Sequence, residues 1–291
     1  MDGILVIRKE KGYTSHDVVA VVRRILHTKK VGHTGTLDPD AEGVLPICVG
    51  KATRAADMLP SDGKEYIAGV RLGLVTNTQD TTGAVLQTRL VKVSEAQIYA
   101  AAAQFVGEIM QIPPMYSAVK VGGKKLYEYA RKGQAVERAP RLVTISALDV
   151  YDVSRTGFFM RVSCSKGTYI RTLCHDIGQV LGCGASMESL VRTKSGGFSL
   201  EEAVTLCELE RAVKEGREKA LCRPVDSIFS GYPAIRLNAE QTFRMQNGAV
   251  STVPEACGIY RVYDVDGRFL CVGEVAPRGN RRVVKTVKNF F

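Results

Sequence analysis

The sequence predicts an α+β fold. Short stretches alternate apolar and polar residues with the period of a strand. The clearest is Lys64 to Gly73, where Tyr66, Ala68, Val70 and Leu72 share one face. Helical patterns are scattered among these stretches without the regular strand–helix alternation of a doubly wound sheet. At 291 residues the chain is long enough for one large domain and one small one.

In chain order, Gly3 to Lys9 reads as a strand. Ser15 is expected to cap a helix through Leu26, with Val18, Val19, Val22, Ile25 and Leu26 at helical spacing. Lys51 to Leu59 reads as a further helix, and Asn77 to Gly83 as a polar loop containing Asp80. The capping-box pattern Ser94 to Gln97 opens a helix to about Phe105. The prolines of Pro113 to Lys120 favour extended backbone, and Lys124 to Lys132 has the pattern of a helix bearing Tyr127 and Arg131. Leu142 to Val153 and Gly157 to Cys164 read as strands, and Thr168 to Leu181 as a helix. Ser199 and Glu202 form a second capping box before a helix from Val204 to Val213.

The Gly- and Pro-containing stretch Ser230 to Pro233 divides the chain into units of residues 1–230 and 234–291. In the second unit, Ile259 to Leu270 reads as two strands around an Asp266-Gly267 turn. Its end carries Arg278, Arg281, Arg282, Lys285 and Lys288 and no acid. Interleaved Val283, Val284 and Val287 suit a last strand, and the alternative is a disordered basic tail. Deleting residues 234–291 is expected to leave the first unit folded.

Composition narrows the function classes. The formal net charge is +10, which favours polyanionic partners. Eight cysteines form no CxxC pair, and with four histidines there is no metal-ligand spacing, so buried free thiols are expected. No apolar run reaches membrane-spanning length, and the N-terminal run Ile4 to Ile7 is too short for a signal segment. A cytoplasmic protein is expected.

The most distinctive stretch is Val31 to Gly43, with sequence VGHTGTLDPDAEG. Its glycines open backbone angles closed to other residues, and Pro39 stiffens the chain after Asp38. It reads either as a surface turn or as a loop that positions one carboxylate. Three common motifs fail here. A calcium loop starting at Asp38 would need Glu where Val49 stands. A P-loop ending at Lys51 would need glycine where Leu45 stands and Ser or Thr where Ala52 stands. The glycines also do not form G-x-G-x-x-G.

Gly32 to Pro39 resembles the signature of the TruB family, which makes pseudouridine in the TΨC loop of tRNA. Further motifs follow in the family's order. They are Lys64-x-Tyr66, Asp80 in its polar loop, Pro113-Pro114-x-Tyr116-Ser117-Ala118-x-Lys120, Cys164 to Arg171, and Leu190-x-Arg192-x-x-Ser195-Gly196-x-Phe198. The match runs from Gly3 to about Pro224. It departs at Glu10, where the family has proline after lysine, and Lys9 is read as structural.

The resemblance implies a catalytic domain built on a central mixed, largely antiparallel sheet and a small β-rich, PUA-like C-terminal domain that holds the tRNA stem. It implies Asp38, Tyr66 and Arg171 as catalytic residues. His33, Asp80, Tyr116, Lys120 and Leu190 would bind the substrate. The basic residues Lys124, Lys125, Arg131 and Lys132, with Arg278, Arg281 and Arg282, would contact RNA through phosphates, aided by nearby tyrosines. The chemistry breaks the N1 glycosidic bond of uridine at tRNA position 55, turns the base and joins C5 to C1′. It requires neither cofactor nor metal in principle. A carboxylate can attack C1′, add to C6 or remove a sugar proton, and all three roles stay open. On residue type alone, Arg171 also reads as an exposed helix charge, Tyr66 as strand packing and His33 as a loop histidine. The partner implied is the TΨC stem-loop, met by a monomer after base flipping. The rival reading is a non-catalytic RNA-binding or tRNA-folding protein on the same scaffold.

Overall fold

The computed structural model describes residues 1–58 and 63–291. The first elements are β1 (Gly3–Lys9), α1 (Ser15–Ile25), β2 (Val31–His33), β3 (Glu42–Val49), β4 (Lys64–Leu72), β5 (Leu74–Thr76), β6 (Val85–Thr88), α2 (Glu95–Ala103) and β7 (Gly107–Gln111). A small hairpin, β8 (Lys120–Val121) and β9 (Lys124–Lys125), leads into the short helix α3 (Leu126–Ala130). Then come β10 (Arg141–Tyr151), β11 (Gly157–Cys164), α4 (Ile170–Val180), β12 (Ala185–Ser195), β13 (Phe198–Ser199), α5 (Leu206–Lys214) and β14 (Cys222–Arg223). The last part holds β15 (Ala234–Arg236), α6 (Ala239–Gln246), β16 (Ser251–Thr252), β17 (Gly258–Tyr263), β18 (Phe269–Arg278) and β19 (Arg281–Asn289). The α+β class holds, with a central mixed sheet and a β-rich C-terminal part.

The large sheet runs β14-β1-β3-β12-β4-β11-β10-β7, with β2 on β3 and β13 on β12. Most neighbours are antiparallel, but β12 pairs parallel with β3 at Val191–Glu42 and Arg192–Gly43. Gly43 has φ +104, and a Cβ there would overlap the Arg192 carbonyl. Only glycine permits this approach, so the strand leaving the Asp38 loop lies directly against β12.

β1 and β3 are buried on both faces, which is why they read as continuous apolar runs rather than as alternation. Leu5, Ile7, Leu45 and Ile47 pack under α1 and α5 on one side. On the other, Ile4, Val6, Val44 and Cys48 join Phe229, Val272 and Phe290. A third core, with Tyr66, Ala68, Met160 and Leu190, lies under α2 and α4.

The C-terminal sheet runs β15-β17-β18-β19-β16 around its own core of Ile235, Leu237, Met245, Val262 and Val284. The basic end is strand β19, not a disordered tail. Val272 and Phe290 from this part complete the core beneath β1, Lys288 pairs with Asp57, and Arg54 donates to Asn289. Cutting at Pro233 would therefore uncover apolar surface of the first unit, a cost that the expectation of an undisturbed first unit did not include.

Several local expectations shift. Thr14, not Ser15, caps α1, in a capping box with Asp17. The stretch after Gly50 is a 3-10 helix to Ala55, and Leu59, where a helix was expected to end, lies outside the described residues. Lys124 and Lys125 form a strand rather than the start of a helix, because the hairpin turns at Gly122 and Gly123, both with positive φ. The Ser199–Glu202 box closes only a 3-10 turn, and Thr205 with Glu208 caps α5. Val204 cannot begin that helix because its backbone bonds to Val6 and Arg8 beside β1. All eight cysteines are free and five are buried, but Cys207 and Cys257 are exposed and Cys222 is half-buried. No helix of the described residues is long and apolar enough to cross a membrane.

Candidate active site

The loop from Thr34 to Ala41 joins β2 to β3 and is held along its length. The Ala41 N–H closes a turn on the Asp38 carbonyl, with Pro39 inside it. Because Thr14 takes the helix cap, the Ser15 hydroxyl is free to bind the loop. It accepts from the Leu37 N–H at 2.9 Å and donates to the Leu37 carbonyl at 3.2 Å. Lys9 is fully buried, and its ammonium donates to the carbonyls of Glu10, Tyr13 and Pro39 at 3.0, 2.6 and 3.0 Å. The contact to Glu10 is through backbone, so glutamate serves there as proline would. Burial pushes the Lys9 ammonium down to about 8, against the pull of Asp40 and Asp38.

Arg192 holds the loop from the other side. It is fully buried on β12, where a register shift follows it. Its guanidinium donates to the carbonyls of Val44, Gly35 and Thr36 at 2.8, 2.8 and 3.4 Å. Buried charges are kept only where such partners satisfy them. These three residues, Lys9, Ser15 and Arg192, were not predicted to shape the site. Arg192 and Ser195 stood in a family motif, but no local signal separates a buried arginine from an exposed one.

Asp38 meets Arg171 as predicted. Arg171 Nε lies 2.9 Å from one carboxylate oxygen and Nη2 3.3 Å from the other, a forked contact. Arg171 is not an exposed helix charge: its side chain is 6% exposed and that of Asp38 43%, so the pair opens to solvent on the carboxylate side. It stands in the first turn of α4, where the helix dipole disfavours a cation, and the carboxylates offset that cost. Its remaining donors reach the carbonyls of Thr78 and Tyr116 at 3.1 and 2.8 Å, and Asp80 at 3.7 Å. Asp80 itself is fixed by the Thr78 and Thr82 hydroxyls. Enclosure by protein pushes the Asp38 carboxyl above the usual aspartate range, Arg171 opposes this, and Asp80 adds to it.

Tyr66 lies on β4, buried, beside Arg192 in the strand register. Burial raises its hydroxyl above the ordinary value, with Arg192 acting against the shift and Asp38 reinforcing it. Leu190 is buried in the same core as Tyr66 and Leu37. His33 ends β2. Its ring stands edge-on to His16, 5.1 Å between centroids, and its Nδ1 is buried without a partner among the described residues. Tyr116 touches the cluster through its carbonyl rather than its ring. Lys120 and Lys124 are exposed on the small hairpin, Lys125 and Arg131 lie over the Tyr127 ring, and Lys132 is exposed beyond α3. Arg278, Arg281 and Arg282 are exposed where β18 turns into β19, and none of them bonds to the Asp38–Arg171 cluster. No group of three or more His, Cys, Asp or Glu among the described residues is placed to hold a metal.

A fixed carboxylate on a buried arginine, with a buried tyrosine on the central strand β4, is what the family resemblance leads one to expect. Residues 23–170 match the model of the TruB family pseudouridylate synthase N-terminal domain. Residues 171–230 match that of the tRNA pseudouridylate synthase B C-terminal domain. The chain belongs to the TruB family. It is 47% identical over 287 residues to a protein named tRNA pseudouridine synthase B from Halalkalibacterium halodurans, covering 95% of this chain and 94% of that one. A protein of the same name from Burkholderia mallei is 47% identical over 285 residues, with the same coverage. Among solved structures, a chain of an H/ACA RNP bound to a substrate RNA containing 2′-deoxyuridine superposes with TM-score 0.74 at 26% identity. It covers 99% of this chain and 85% of that one. A chain of a Cbf5-Nop10-Gar1 complex gives TM-score 0.74 at 27% identity, with equal coverage.

Proposed function

We propose that this protein is a tRNA pseudouridine synthase that isomerises the uridine at position 55 in the TΨC loop. The observation that carries this reading is the Asp38–Arg171 fork set beside buried Tyr66. The family membership and the names of its relatives support a pseudouridine synthase acting on tRNA. Asp38 acts on the nucleotide as its carboxylate, whose ionised form Arg171 favours and aims. Enclosure makes that carboxylate more basic than one in water, which suits either bond formation or proton removal. Tyr66 receives the flipped uracil on its ring and brings its hydroxyl to C5, while Leu190 backs the pocket and His33 occupies space beside it. Extruding a base costs on the order of a few kcal/mol, offset by stacking in the pocket.

The RNA is held in two places in this reading. Lys120, Lys124, Lys125, Arg131 and Lys132 surround the segment that hangs from Arg171 through the Tyr116 carbonyl. Residues 234–291 grip the stem through Arg278, Arg281 and Arg282, and residues 1–230 form the catalytic unit. The protein works as a monomer in the cytoplasm, with neither cofactor nor metal assigned to the reaction. Incubation with an unmodified tRNA transcript, followed by mapping of pseudouridine, tests the reading. Modification at position 55 alone is expected. Bound tRNA with no pseudouridine would leave the RNA-folding alternative.

A further inference from the structure

The cations around the Asp38 loop are unequally matched. Arg171 has Asp38 and Asp80. Lys9 and Arg192 have no carboxylate, but each directs its donors to three carbonyls. Lys64 has neither. It is half-buried on β4, two residues before Tyr66 and on the same strand face. Among the described residues no carboxylate lies within 4 Å of its ammonium, and it makes no hydrogen bond. Glu65, next to it in sequence, is taken up by Thr193, Lys194 and Arg161.

Geometry keeps this ammonium against the loop. A Cβ built on Gly35 would stand 3.6 Å from Lys64 Nζ and 3.4 Å from an Arg192 guanidinium nitrogen, so two cations flank that glycine. Gly35 has φ +71, and the turn presents its backbone rather than a side chain to them. Burial, with Arg192 and Lys166 beyond it, pulls the ammonium below its ordinary value, and the Cys164 thiol opposes this only in part. A half-buried cation beside another cation lowers the stability of the free protein. It is the arrangement expected where the counter-ion arrives with a ligand. The strand rise of about 3.3 Å per residue puts the Lys64 and Tyr66 Cα atoms roughly 7 Å apart. That spacing lets one nucleotide set its base at Tyr66 and a phosphate at Lys64.

We propose that Lys64 is a phosphate-binding residue of the site, whose ammonium takes a phosphodiester oxygen flanking the uridine that stacks at Tyr66. The subsite rests on the reading of the chain as an enzyme of RNA. It adds to that reading a fixed contact that seats the flipped nucleotide by its backbone. A phosphate there would supply the acceptor that the ammonium lacks and neutralise the repulsion from Arg192.

The test is a cycle between protein and RNA. A TΨC stem-loop RNA is made with a neutral methylphosphonate at either phosphate flanking the target uridine. Affinity and single-turnover rate are measured with wild type and Lys64→Gln. Loss of a charge-assisted hydrogen bond is expected to weaken wild-type binding about ten- to a hundredfold at one of the two positions. Lys64→Gln should lose the same factor on unmodified RNA and nothing further on the methylphosphonate. Its salt slope should fall by about 0.7. Lys64→Arg should keep most of the affinity. Fully additive losses at both positions would overturn the proposal. Lys64→Met should melt at or above the wild-type temperature, since a half-buried charge beside another cation is gone, and a large drop would reassign Lys64 to the fold. The cycle is read in affinity, so it still reports on Lys64 if wild type makes no pseudouridine, an outcome that would sink only the enzymatic reading.

Discussion

The Asp38 loop and the C-terminal sheet are both rich in cations, and they treat them in opposite ways. Around the loop, Lys9, Arg171 and Arg192 are buried and bonded to carbonyls and carboxylates drawn from five separate stretches of chain. In the C-terminal sheet the core is apolar, and Arg278, Arg281 and Arg282 face solvent. Buried cations fix geometry, because moving one leaves several polar groups unsatisfied. Exposed cations fix far less of the fold, Arg282 alone of the three donating to a carbonyl among the described residues, that of Pro254, and they remain open to phosphates. Mutation at the loop should therefore act on chemistry, and mutation at the C-terminal hairpin on salt-dependent affinity.

The sharpest test of that division is Asp38→Asn. It keeps size and most hydrogen bonding and removes the charge and nucleophilicity. The expected protein is folded, binds tRNA and forms no detectable pseudouridine. Substantial turnover would end the assignment of Asp38.

Next in size is Tyr66→Phe. The ring and its stacking face stay, and only the hydroxyl goes. A general acid–base group contributes roughly 10²–10⁴-fold, so single-turnover formation of pseudouridine should fall by about that range with tRNA affinity unchanged. A rate within about threefold of wild type would return Tyr66 to a packing role.

Phe290→Ala probes how far the two regions are joined. Phe290 is buried against Phe229 and Phe269, in the core that also holds Ile4 and Val6. Truncating a buried Phe costs about 3–5 kcal/mol, and urea unfolding should show that loss in the large sheet as well as the small one. A transition confined to the C-terminal sheet would separate the two regions after all.

Replacing Arg278, Arg281 and Arg282 together by Gln should leave the chemical step intact. The dependence of tRNA affinity on salt should flatten by about 0.9 in slope for each duplex phosphate that the hairpin no longer neutralises. An unchanged slope would remove this hairpin from the RNA interface.

The smallest expected effect is in pH. Asp38 in the folded protein sits above the usual carboxylate range because it is enclosed. An acid raised by folding adds stability that is present below its unfolded value and lost as pH rises through the folded one. Acidification through that window should silence turnover by protonating Asp38, without Asp38 itself driving unfolding. A rate–pH profile with circular dichroism in parallel should place the acid limb above about 3.9, the free aspartate value. A limb at or below that value would contradict the enclosure of Asp38.

Local pattern determined a good part of this protein. The alternation of Lys64 to Gly73 marked β4, the apolar spacing after Thr168 marked α4, and the Asp266-Gly267 pair marked the β17–β18 turn, because each signal lies within a few residues. The Asp38 loop, Tyr66 and Arg171 were legible from their motifs, and the structure brings Asp38 and Arg171 into contact. Tertiary structure alone decided the rest. Ala185 to Ser195 went unread as a strand, although β12 lies between β3 and β4 near the middle of the large sheet. Its mixed residues follow from different neighbours on each side and from two bulges, not from simple alternation. Nor could the sequence choose Thr14 over Ser15 as the cap, since both hydroxyls suit it and only Leu37, 22 residues away, claims the second. The burial of Lys9 and Arg192 was hidden for the same reason. A charged side chain can leave water only where acceptors converge on it, and these acceptors come from chain positions up to 157 residues away, as with Arg192 and Gly35.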